Sequence, residues 1–533
     1  MATEQKKVFV HSAFGRWPVL EYELDMVQRE LDEGSEVYFA WCKGGSGYCA
    51  ANNPKPGQEF RIERCISCKS RVKAGLRWLE NSAGSLIDIE FRSVTADQRL
   101  RIDSLKKLID LYGPVFAEIQ PHLSPSEELC WLAALSGLNT DLKDSQPDLH
   151  EHQIRFSQMF SEALTSMSSM ENHLTAIRPD LVLLYNGRMP RYWPALEVCR
   201  KFDIAHIVYE FPNEDLQSYI FSENLRPHET TDYGLRAKEK FNQLPAVERE
   251  KVRRRSEGWF ALRSQRILSG RQAKNLGSSL GGIETGILPE NWRTMEDRTK
   301  VAIFPSSQYE YANLPSHQDS LSLVQVDTIR SILSAFAETH FYVRIHPGQP
   351  ESDVQFMSDV QSLSAFPNCT LVQKSHAVDS YALGMGCDSV ITFGSTIGIE
   401  LAYLGAPVIE CGSARFATYG ATTFAGSVAE TILALQSELG SQSQANDREL
   451  RREAALLGIS ARFTSAREAT YLEKDDYWNG KMVRNGARTV IKGSGPARML
   501  ESLERLTWSR SFAFFFDPGY KLIARVRDKF RRP

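Results

Sequence analysis

One stretch of this chain, residues 387–410, restricts the fold more than any other. Residues 389–393 are mostly β-branched or aromatic and predict a short, buried parallel strand. Gly394 interrupts that strand, and the next residues predict a helix from about 397 to 404. A Gly-Ala-Pro sequence ends the helix, and 408–409 begins another strand. The stretch is therefore predicted to be a βαβ unit with a turn rich in hydroxyl groups.

The turn of this unit carries side chains that suit a nucleotide. Ser395 or Thr396 is placed to cap the helix. Free backbone N–H groups with hydroxyls beside them suit a phosphate or diphosphate. Glu400, about one turn into the helix, is placed to accept hydrogen bonds from ribose hydroxyls. The alternative is structural, because any βαβ unit needs a small turn and a cap, and residue types alone leave both open.

Length and composition describe a globular protein with more than one domain. A chain of 533 residues exceeds a single core and predicts roughly two to four domains. Its 42% hydrophobic and 24% charged residues are ordinary for a soluble protein, and a net charge of −3 excludes a globally basic nucleic-acid binder. No run approaches the ~20 apolar residues of a membrane span, and the opening residues lack a signal-peptide pattern. We therefore expect a cytoplasmic protein whose cysteines are reduced or metal-bound.

The first half opens with the strand–loop–helix–strand pattern of a Rossmann-like domain. Strands at 8–10 and 36–41 flank a helix at about 19–33. His11 and Glu23 fall near the carboxyl end of the first strand, where open α/β sheets place their sites. For Glu23 the alternative is a solvated helix face.

Four cysteines lie within 27 residues of this half, at Cys42, Cys49, Cys65 and Cys68. Four thiolates so close together suit a tetrahedral zinc site. A zinc ribbon has two Cys-x-x-Cys knuckles, however, and this segment has one. A structural zinc site, a disulfide or cluster, and free thiols all remain candidates.

Two later strands of the same half deliver polar groups to one edge of the sheet. A predicted strand at 179–185 precedes Asn186 and Arg188, and a strand at 205–209 ends at Glu210. Because parallel strands end at the same edge, these side chains are expected to converge on a site. The alternative is a common Asn-Gly turn with Arg188 as an ion-pair partner.

The second half repeats this architecture. A strand beginning at Lys300 is followed by Ser306 and Ser307, and a strand at 341–345 is followed by His346. Together with the hydroxyl-rich turn, these groups are expected to line a single crevice. The fold class predicted is therefore α/β, with two Rossmann-like domains facing each other across a cleft.

The predicted ranges are 1–290 for the first domain, with a cysteine loop at 42–68, and 291–500 for the second. Residues 501–533 are predicted to form a helical, amphipathic, basic tail. Within it, residues 508–533 hold seven Lys or Arg against two Asp, next to an aromatic cluster. Such a tail either lies on an anionic membrane surface or packs against the body with a basic outer face.

The motif Arg344-Ile345-His346-Pro347 and the later run from Thr392 to Glu400, followed by Gly405-x-Pro407, support a resemblance. They resemble the corresponding segments of bacterial capsule and surface-polysaccharide biosynthesis proteins, which look like glycosyltransferases of the GT-B architecture. The helix after the first strand, the cysteine loop, Asn186 to Arg188 and Glu210 also look like that group. The resemblance spans about residues 8–425.

The resemblance implies that the second domain binds a nucleotide sugar and the first binds the acceptor. Carried onto this sequence, the residues expected to bind the nucleotide sugar are Ser306, Ser307, Arg344, His346, Gly394, Ser395, Thr396 and Glu400. The expected acceptor-binding residues are Asn186 and Arg188.

For catalysis, the resemblance implies a metal-independent, inverting transfer with no catalytic cofactor. The helix terminus, His346 and Arg344 would stabilise the charge of the leaving group. Glu210 ranks first as the general base, followed by Glu23 and His11.

The activity expected is transfer of a sugar from a nucleotide sugar to a glycan or glycolipid acceptor of the capsule or lipopolysaccharide type, at the inner face of the cytoplasmic membrane. One rival is a nucleotide-sugar 2-epimerase, which needs no acceptor. Another is a non-catalytic assembly protein of the same fold. A nucleic-acid binder based on the basic stretch 253–274 is least favoured, because interleaved glutamates predict a solvated helix face there.

Overall fold

The computed structural model describes residues 5–12, 14–44, 48–49, 52, 62–80, 82–210, 218–226, 228–264, 286–314, 320–412, 416–440, 445–476 and 479–492. Its strands form two large sheets and one small one. The strands are β1 (Lys7–His11), β2 (Glu36–Trp41), β3 (Ser85–Glu90), β4 (Leu181–Tyr185), β5 (His206–Glu210), β6 (Ser218–Glu223), β7 (Lys300–Phe304), β8 (His340–Arg344), β9 (Cys369–Val372), β10 (Ser389–Thr392), β11 (Val408–Cys411), β12 (Thr423–Ala425), β13 (Ala466–Glu468), β14 (Leu472–Asp476), β15 (Asn479–Arg484) and β16 (Ala487–Thr489).

Helices connect these strands and cover the sheets. They are α1 (Val19–Asp32), α2 (Ile62–Trp78), α3 (Ala96–Tyr112), α4 (Phe116–Ile119), α5 (Pro125–Leu142), α6 (Gln153–Ile177), α7 (Trp193–Lys201), α8 (Thr230–Gln243), α9 (Ala246–Ser264), α10 (Gln325–Ala335), α11 (Val354–Ser362), α12 (Ser380–Gly386), α13 (Ile397–Tyr403), α14 (Val428–Gly440) and α15 (Ala445–Thr464). Helix α5 begins at a capping box of Ser124 and Glu127, with Pro125 in its first turn. It ends at Lys143, which adopts a left-handed conformation and turns the chain toward the second sheet.

The first sheet has the strand order β13–β6–β5–β4–β1–β2–β3. Strands β1 to β5 are parallel, whereas β6 and β13 are antiparallel to their neighbours. The chain order reverses between β1 and β4. Open α/β sheets place their ligands at such a switch point, beyond the carboxyl ends of the strands.

The second sheet has the strand order β12–β11–β10–β7–β8–β9 and is parallel throughout. Its order reverses between β7 and β10, so it repeats the topology of the first sheet. Central residues such as Val301, Ile303 and Ile391 are fully buried, as expected for strands covered on both faces. The predicted α/β fold with two Rossmann-like domains is confirmed.

The βαβ unit predicted at 387–410 is β10, α13 and β11. One detail of that prediction is wrong, because neither hydroxyl at the turn caps the helix. Thr396 is the residue before the helix and makes no side-chain cap. Its dihedral angles, φ −62° and ψ −21°, are already helical, whereas a capping residue is extended so that its side chain turns back to the free N–H groups.

Each large sheet with the helices that cover it is called a unit here, the first unit and the second unit. The two units share parts of the chain. Trp259 and Phe260 of α9 pack into the core beside the second sheet. Leu314, from the loop after β7, packs among the helices that cover the first sheet. Strand β13 returns from the second unit to pair with β6. The ranges 1–290 and 291–500 therefore stay a prediction about where one domain ends and the other begins.

Sequence patterns missed β3 and the small sheet of β14, β15 and β16. That small sheet packs on the first unit through Leu472 and Met482, together with Ile491 just beyond its last strand. The predicted tails at 501–533 and 508–533 lie outside the described residues. On α9, Arg253 pairs with Glu453 and Arg254 with Glu250, both at 2.8 Å and both exposed, as the solvated-face interpretation expects. Arg263 on the same helix instead forms a buried pair with Glu400. Residues 265–274 of the predicted basic stretch lie outside the described residues.

Candidate functional site

Hydrogen bonds join the carboxyl ends of the three central strands of the second sheet. The Ser306 hydroxyl, after β7, donates to the carbonyl of Phe393, after β10, at 2.7 Å. The Ser307 hydroxyl donates to Gln349 Oε1 at 3.1 Å. The backbone N–H of Gln349 in turn donates to the carbonyl of His346, after β8, at 2.9 Å. The predicted residues Ser306, Ser307 and His346 therefore lie at one edge, as expected for a crevice.

Arg344, the last residue of β8, is a buried cation, with 1% of its surface exposed. Its guanidinium donates to the carbonyls of Gln373 and His376, both neutral groups. Within the described part of the chain, its Nε has no hydrogen-bond partner. Burial lowers its pKa to about 10, and no described carboxylate offsets that effect. An arginine has five N–H groups, and described residues accept from two of them, so three remain toward the rest of the crevice.

His346 lies two residues beyond Arg344 and is held in its neutral form. Burial lowers its pKa, and the charge of Arg344 lowers it further. Its Nδ1 accepts a hydrogen bond from the Gly348 N–H at 3.0 Å. A neutral ring that accepts at Nδ1 carries its proton on Nε2. His346 is thus a hydrogen-bond donor at Nε2.

The turn after β10 presents two hydroxyls that no described residue uses. Gly394 has φ +78°, a conformation that favours glycine. Ser395 and Thr396 follow it and are half-buried. Gly398 faces Thr392 so closely that a Cβ would lie 3.0 Å from its Oγ1. Small residues therefore bring the turn and helix α13 tightly against the strand.

Glu400 lies deeper than its predicted contact with ribose suggests, at 2% exposed. Arg263 from α9 forms an ion pair with its Oε1 at 2.6 Å. The hydroxyl of Tyr381 donates to its Oε2. A ribose hydroxyl would have to share an oxygen with one of these groups, and the role of Glu400 as a ribose ligand stays a prediction.

On the first unit, Asn186, Arg188 and Glu210 come together as predicted. The amide of Asn186 donates to Glu210 Oε2 at 2.7 Å. The backbone N–H of Arg188 donates to Asn186 Oδ1 at 3.1 Å. Asn186 and Gly187 both have left-handed backbone conformations, so the Asn-Gly turn and the predicted cluster coexist. Glu210 is half-buried and is oriented by Asn186.

Arg188 bridges the two units. Its Nε donates to Ser136 at 3.1 Å, and a second N–H donates to Thr140, both on α5. Two more donate to the carbonyls of Tyr309 and Glu310, in the loop after β7, at 3.1 and 2.7 Å. Burial lowers its pKa, with an opposing effect led by Glu310 and then Glu210. The carboxyl edges of the two sheets therefore face each other here, and one of the five N–H groups of Arg188 remains for an acceptor.

The other two base candidates, His11 and Glu23, lie inside the first unit. Both are fully buried. Glu23 accepts from the hydroxyls of Ser12, at 2.6 Å, and Tyr209. The solvated-face alternative for Glu23 is therefore wrong.

The His11 ring is enclosed by aromatic side chains, with the ring centroid of Phe91 4.4 Å away. Neither ring nitrogen has a hydrogen-bond partner in the described part of the chain. Burial, followed by the charge of Arg191, lowers the pKa of His11 to about 3. Of the three candidate bases, Glu210 alone is half-buried, whereas the other two have no exposed surface.

The four cysteines gather beside the loop after β1. Cys65 and Cys68 lie on α2, and the Cys68 sulfur accepts from the Gly15 N–H at 3.0 Å. Burial, with the nearby Cys49, Cys65 and Cys42, raises the pKa of Cys68 to about 11. All four are half-buried free thiols. No three Cys, His, Asp or Glu side chains of the described segments are arranged to hold a metal ion.

Sequence reasoning missed Gln349 and Asp353, which lie in the loop after β8 and are 3% and 0% exposed. Gln349 binds Ser307, and Asp353 binds Ser145 of the first unit. An Asp directly before a helix usually indicates a cap. The sequence therefore gives no sign that Asp353 contacts the first unit. Asp353 makes no side-chain cap to α11.

None of the helices in the described segments is long and apolar enough to cross a membrane. No known family profile and no curated protein matches the chain. Solved structures do match, at low similarity. One is KpsC of Thermosulfurimonas dismutans, a beta Kdo 2,4 transferase, with 14% identity over 60% of this chain and 87% of that one and a TM-score of 0.31.

Two further structures span more of the chain. A putative UDP-N-acetylglucosamine 2-epimerase from Listeria monocytogenes is 12% identical over 86% of this chain and 94% of its own, with a TM-score of 0.26. The glycosyltransferase SnogD from Streptomyces nogalater is 13% identical over 86% and 95%, with a TM-score of 0.24. At these values the likenesses carry no argument about activity, which rests on the site itself.

Proposed function

We propose that this protein is a glycosyltransferase that moves a sugar from a nucleotide sugar to a surface glycan of the capsule or lipopolysaccharide type. The observation that carries the proposal is Arg344, a buried cation without a carboxylate partner among the described residues. A buried charge is costly unless something pairs with it. A phosphate at this edge would pair with Arg344.

Neighbouring groups add to this preference for an anion. His346 offers a hydrogen-bond donor at Nε2, and Ser395 and Thr396 offer hydroxyls that no described residue uses. The residues proposed to hold the nucleotide sugar are Ser306, Ser307, Arg344, His346, Gly394, Ser395, Thr396 and Glu400.

The proposed reaction is a single displacement at the anomeric carbon. Glu210 takes the proton of the acceptor hydroxyl, and that oxygen forms the new glycosidic bond. The bond from the anomeric carbon to the phosphate oxygen breaks, and its electron pair leaves with the nucleotide. Attack opposite the leaving group inverts the anomeric configuration. Arg344 and His346 stabilise the charge that develops on the phosphate, so the protein itself supplies the positive charge.

Asn186 orients the Glu210 carboxylate, and Arg188, beside it, is proposed to bind the acceptor through the N–H group that no described residue uses. Both side chains come from the first unit, whereas the phosphate-binding groups come from the second. The proposed acceptor and nucleotide sugar therefore approach from opposite sides of the cleft.

The first test is a thermal-shift panel of UDP, GDP, CMP and TDP on the wild type and on Ser395→Ala. A ligand at a hundred times its dissociation constant stabilises the folded state by about 2.7 kcal/mol. We expect one nucleotide to shift the wild type and the variant to lose most of that shift. Ser331→Ala is the matched control, because among the described residues this exposed hydroxyl bonds to one group, the Asp327 carbonyl of its own helix, at 2.9 Å.

If no nucleotide shifts the wild type at millimolar concentration, the proposal fails and a non-catalytic role replaces it. With a bound nucleotide identified, the matching nucleotide sugars are incubated with and without acceptor glycans. Transfer that requires the acceptor supports a transferase. Conversion of the sugar nucleotide without any acceptor indicates an epimerase instead.

A further inference from the structure

The hydroxyls of the two serines after β7 both donate hydrogen bonds to acceptors of the protein itself. A hydroxyl has one hydrogen to donate and two lone pairs. The Ser306 hydroxyl lies 2.7 Å from the carbonyl oxygen of Phe393, and a carbonyl can only accept. One of its lone pairs faces the Gln325 amide nitrogen at 3.5 Å. Toward a ligand, Ser306 therefore offers its other lone pair.

The direction of the Ser307 bond depends on Gln349, because an amide can present either its oxygen or its nitrogen. Asp353 settles that choice. Its carboxylate is fully buried, and its Oδ2 lies 3.5 Å from the Gln349 amide nitrogen. Since a carboxylate only accepts, Gln349 turns its NH2 toward Asp353 and its oxygen toward Ser307. The Ser307 proton then points to Gln349.

The second neighbour of Ser307 leads to the same polarity. The phenol of Tyr309 lies beside Ser307. Its own proton is directed to Glu310 Oε1 at 3.4 Å. Both neighbours thus present lone pairs to Ser307, whose proton stays with the protein.

Asp353 is held from the other unit. The hydroxyl of Ser145, in the turn after α5, donates to Asp353 Oδ1 at 2.9 Å, and the Ser145 backbone N–H lies 3.4 Å away. Asn139 on α5 fixes that turn by donating to the Ser145 carbonyl at 3.0 Å. A chain of hydrogen bonds therefore runs from the first unit through Asp353 and Gln349 to Ser307.

We propose that Ser306 and Ser307 bind hydroxyl or N–H groups of the nucleotide sugar, as hydrogen-bond acceptors, and do not bind its phosphates. Asp353, held by Ser145, is then the positioning residue that fixes the direction of the Ser307 hydrogen bond. Phosphate oxygens only accept at neutral pH, so two serines that present lone pairs would repel them. The hydroxyls of the ribose and of the sugar, and the N–H groups of the base, can donate to these lone pairs. This inference rests on the proposed function and divides the crevice into two parts. Arg344, His346 and the turn at Ser395 take the phosphates, and the β7 end takes the hydroxyl-bearing part.

The test compares two probes, the nucleotide that shifts the wild type and inorganic pyrophosphate, by calorimetry. Ser307→Ala is expected to weaken the nucleotide about five- to tenfold, the loss of one hydrogen bond, and to leave pyrophosphate unchanged. Ser395→Ala is expected to weaken both probes. If Ser307→Ala weakens pyrophosphate as much as the nucleotide, the inference is overturned while the proposed function stands. If the wild type binds neither probe, both are overturned.

The positioning role is tested by Ser145→Ala, with Ser352→Ala as its control. Ser352 makes a neighbouring bond between the units, to the Lys143 carbonyl at 3.2 Å, and its hydroxyl is not hydrogen-bonded to Gln349. We expect Ser145→Ala, and not Ser352→Ala, to weaken the nucleotide selectively over pyrophosphate. Without ligand, the side-chain amide of Gln349 should exchange its hydrogens faster in Ser145→Ala than in the wild type, and at the wild-type rate in Ser352→Ala. Equal behaviour of the two variants in both assays would refute the positioning role.

Discussion

Replacing Arg344 with methionine is expected to stabilise the protein and to abolish nucleotide binding at the same time. The guanidinium is 1% exposed and has no carboxylate partner among the described residues. Its two partners are carbonyls, on Gln373 and His376. Arg344 is therefore a residue whose charge costs stability in the absence of ligand, and whose presence needs a functional reason.

The size of the effect follows from that burial. A pKa lowered from 12.5 to about 10 corresponds to about 3 kcal/mol of unfavourable free energy for the charged form. Methionine removes this cost and keeps most of the apolar stem. It also removes two hydrogen bonds of about 1 kcal/mol each. One of them is to His376, which is exposed, so water can replace it. We expect the free energy of unfolding to rise by about 1–3 kcal/mol.

Urea unfolding at several pH values measures the first part of this prediction. The difference between variant and wild type should stay constant from about pH 6 to 9, because Arg344 remains charged in both states over that range. Thermal shift with the nucleotide panel measures the second part.

Arg226→Met is the control, since this arginine is equally buried but pairs with Glu197 at 2.8 Å. Burial lowers the pKa of Arg226 as well. Its loss, however, removes the donor to the Glu197 carboxylate and to the Gly187 carbonyl, so we expect a destabilisation of about 1–3 kcal/mol. An Arg344→Met protein that is less stable than wild type and still binds nucleotide would refute the reasoning.

Two further predictions concern the first unit. His11→Phe should flatten the pH dependence of unfolding: the unfolded imidazole takes up a proton near pH 6.5, while the folded ring, with its pKa at about 3, does not. Between pH 7 and 4.5 the wild type should therefore lose about 2.5 kcal/mol more than the variant in urea titrations, and parallel curves would contradict this. The cysteines give the second prediction. Because no three Cys, His, Asp or Glu side chains of the described segments are arranged to hold a metal ion, we expect elemental analysis to find no bound zinc and thiol titration of the unfolded protein to find Cys42, Cys49, Cys65 and Cys68 free. About one zinc per chain, lost in Cys68→Ser, would contradict this expectation.

Local sequence signals were sufficient to predict which side chains meet at the carboxyl edge of the second sheet. The βαβ unit at 387–410 could be predicted because a β-branched strand, a glycine and a helix pattern follow one another within a short window. Gly394 at φ +78° fills a position that few other residues tolerate. The rule that parallel strands end at one edge then brought Ser306, His346 and the Ser395 turn together.

The small sheet near the end of the chain could not be predicted from strand propensity. Its first strand, β14, reads Leu-Glu-Lys-Asp-Asp, and acidic residues are rare in strands. One signal was present and unused. Asn485 and Gly486 both have positive φ between β15 and β16, and an Asn-Gly pair between two short runs is typical of a tight hairpin.

The buried carboxylates of α1 show a second kind of limit. A solvated helix face was the alternative for Glu23, yet Glu23 and its neighbours Glu21 and Asp25 are at most 1% exposed. Asp25 accepts from the backbone N–H of Tyr471 at 2.7 Å, a residue 446 positions later. A local window cannot contain the segment that covers it.

Two arginines with similar positions in the sequence differ in how many of their N–H groups donate to the protein. Arg188 and Arg344 both lie at or just beyond a strand end, and both were assigned to substrates. In the structure Arg188 spends four of its five N–H groups on oxygens of the two units, so most of its capacity holds the domains together. Arg344 donates two of its N–H groups to described residues, both carbonyls of one loop, and three are left. Burial lowers the pKa of both arginines, but only for Arg188 do nearby carboxylates among the described residues oppose that effect. Arg344 is therefore the cation whose partner is expected to come from outside the chain.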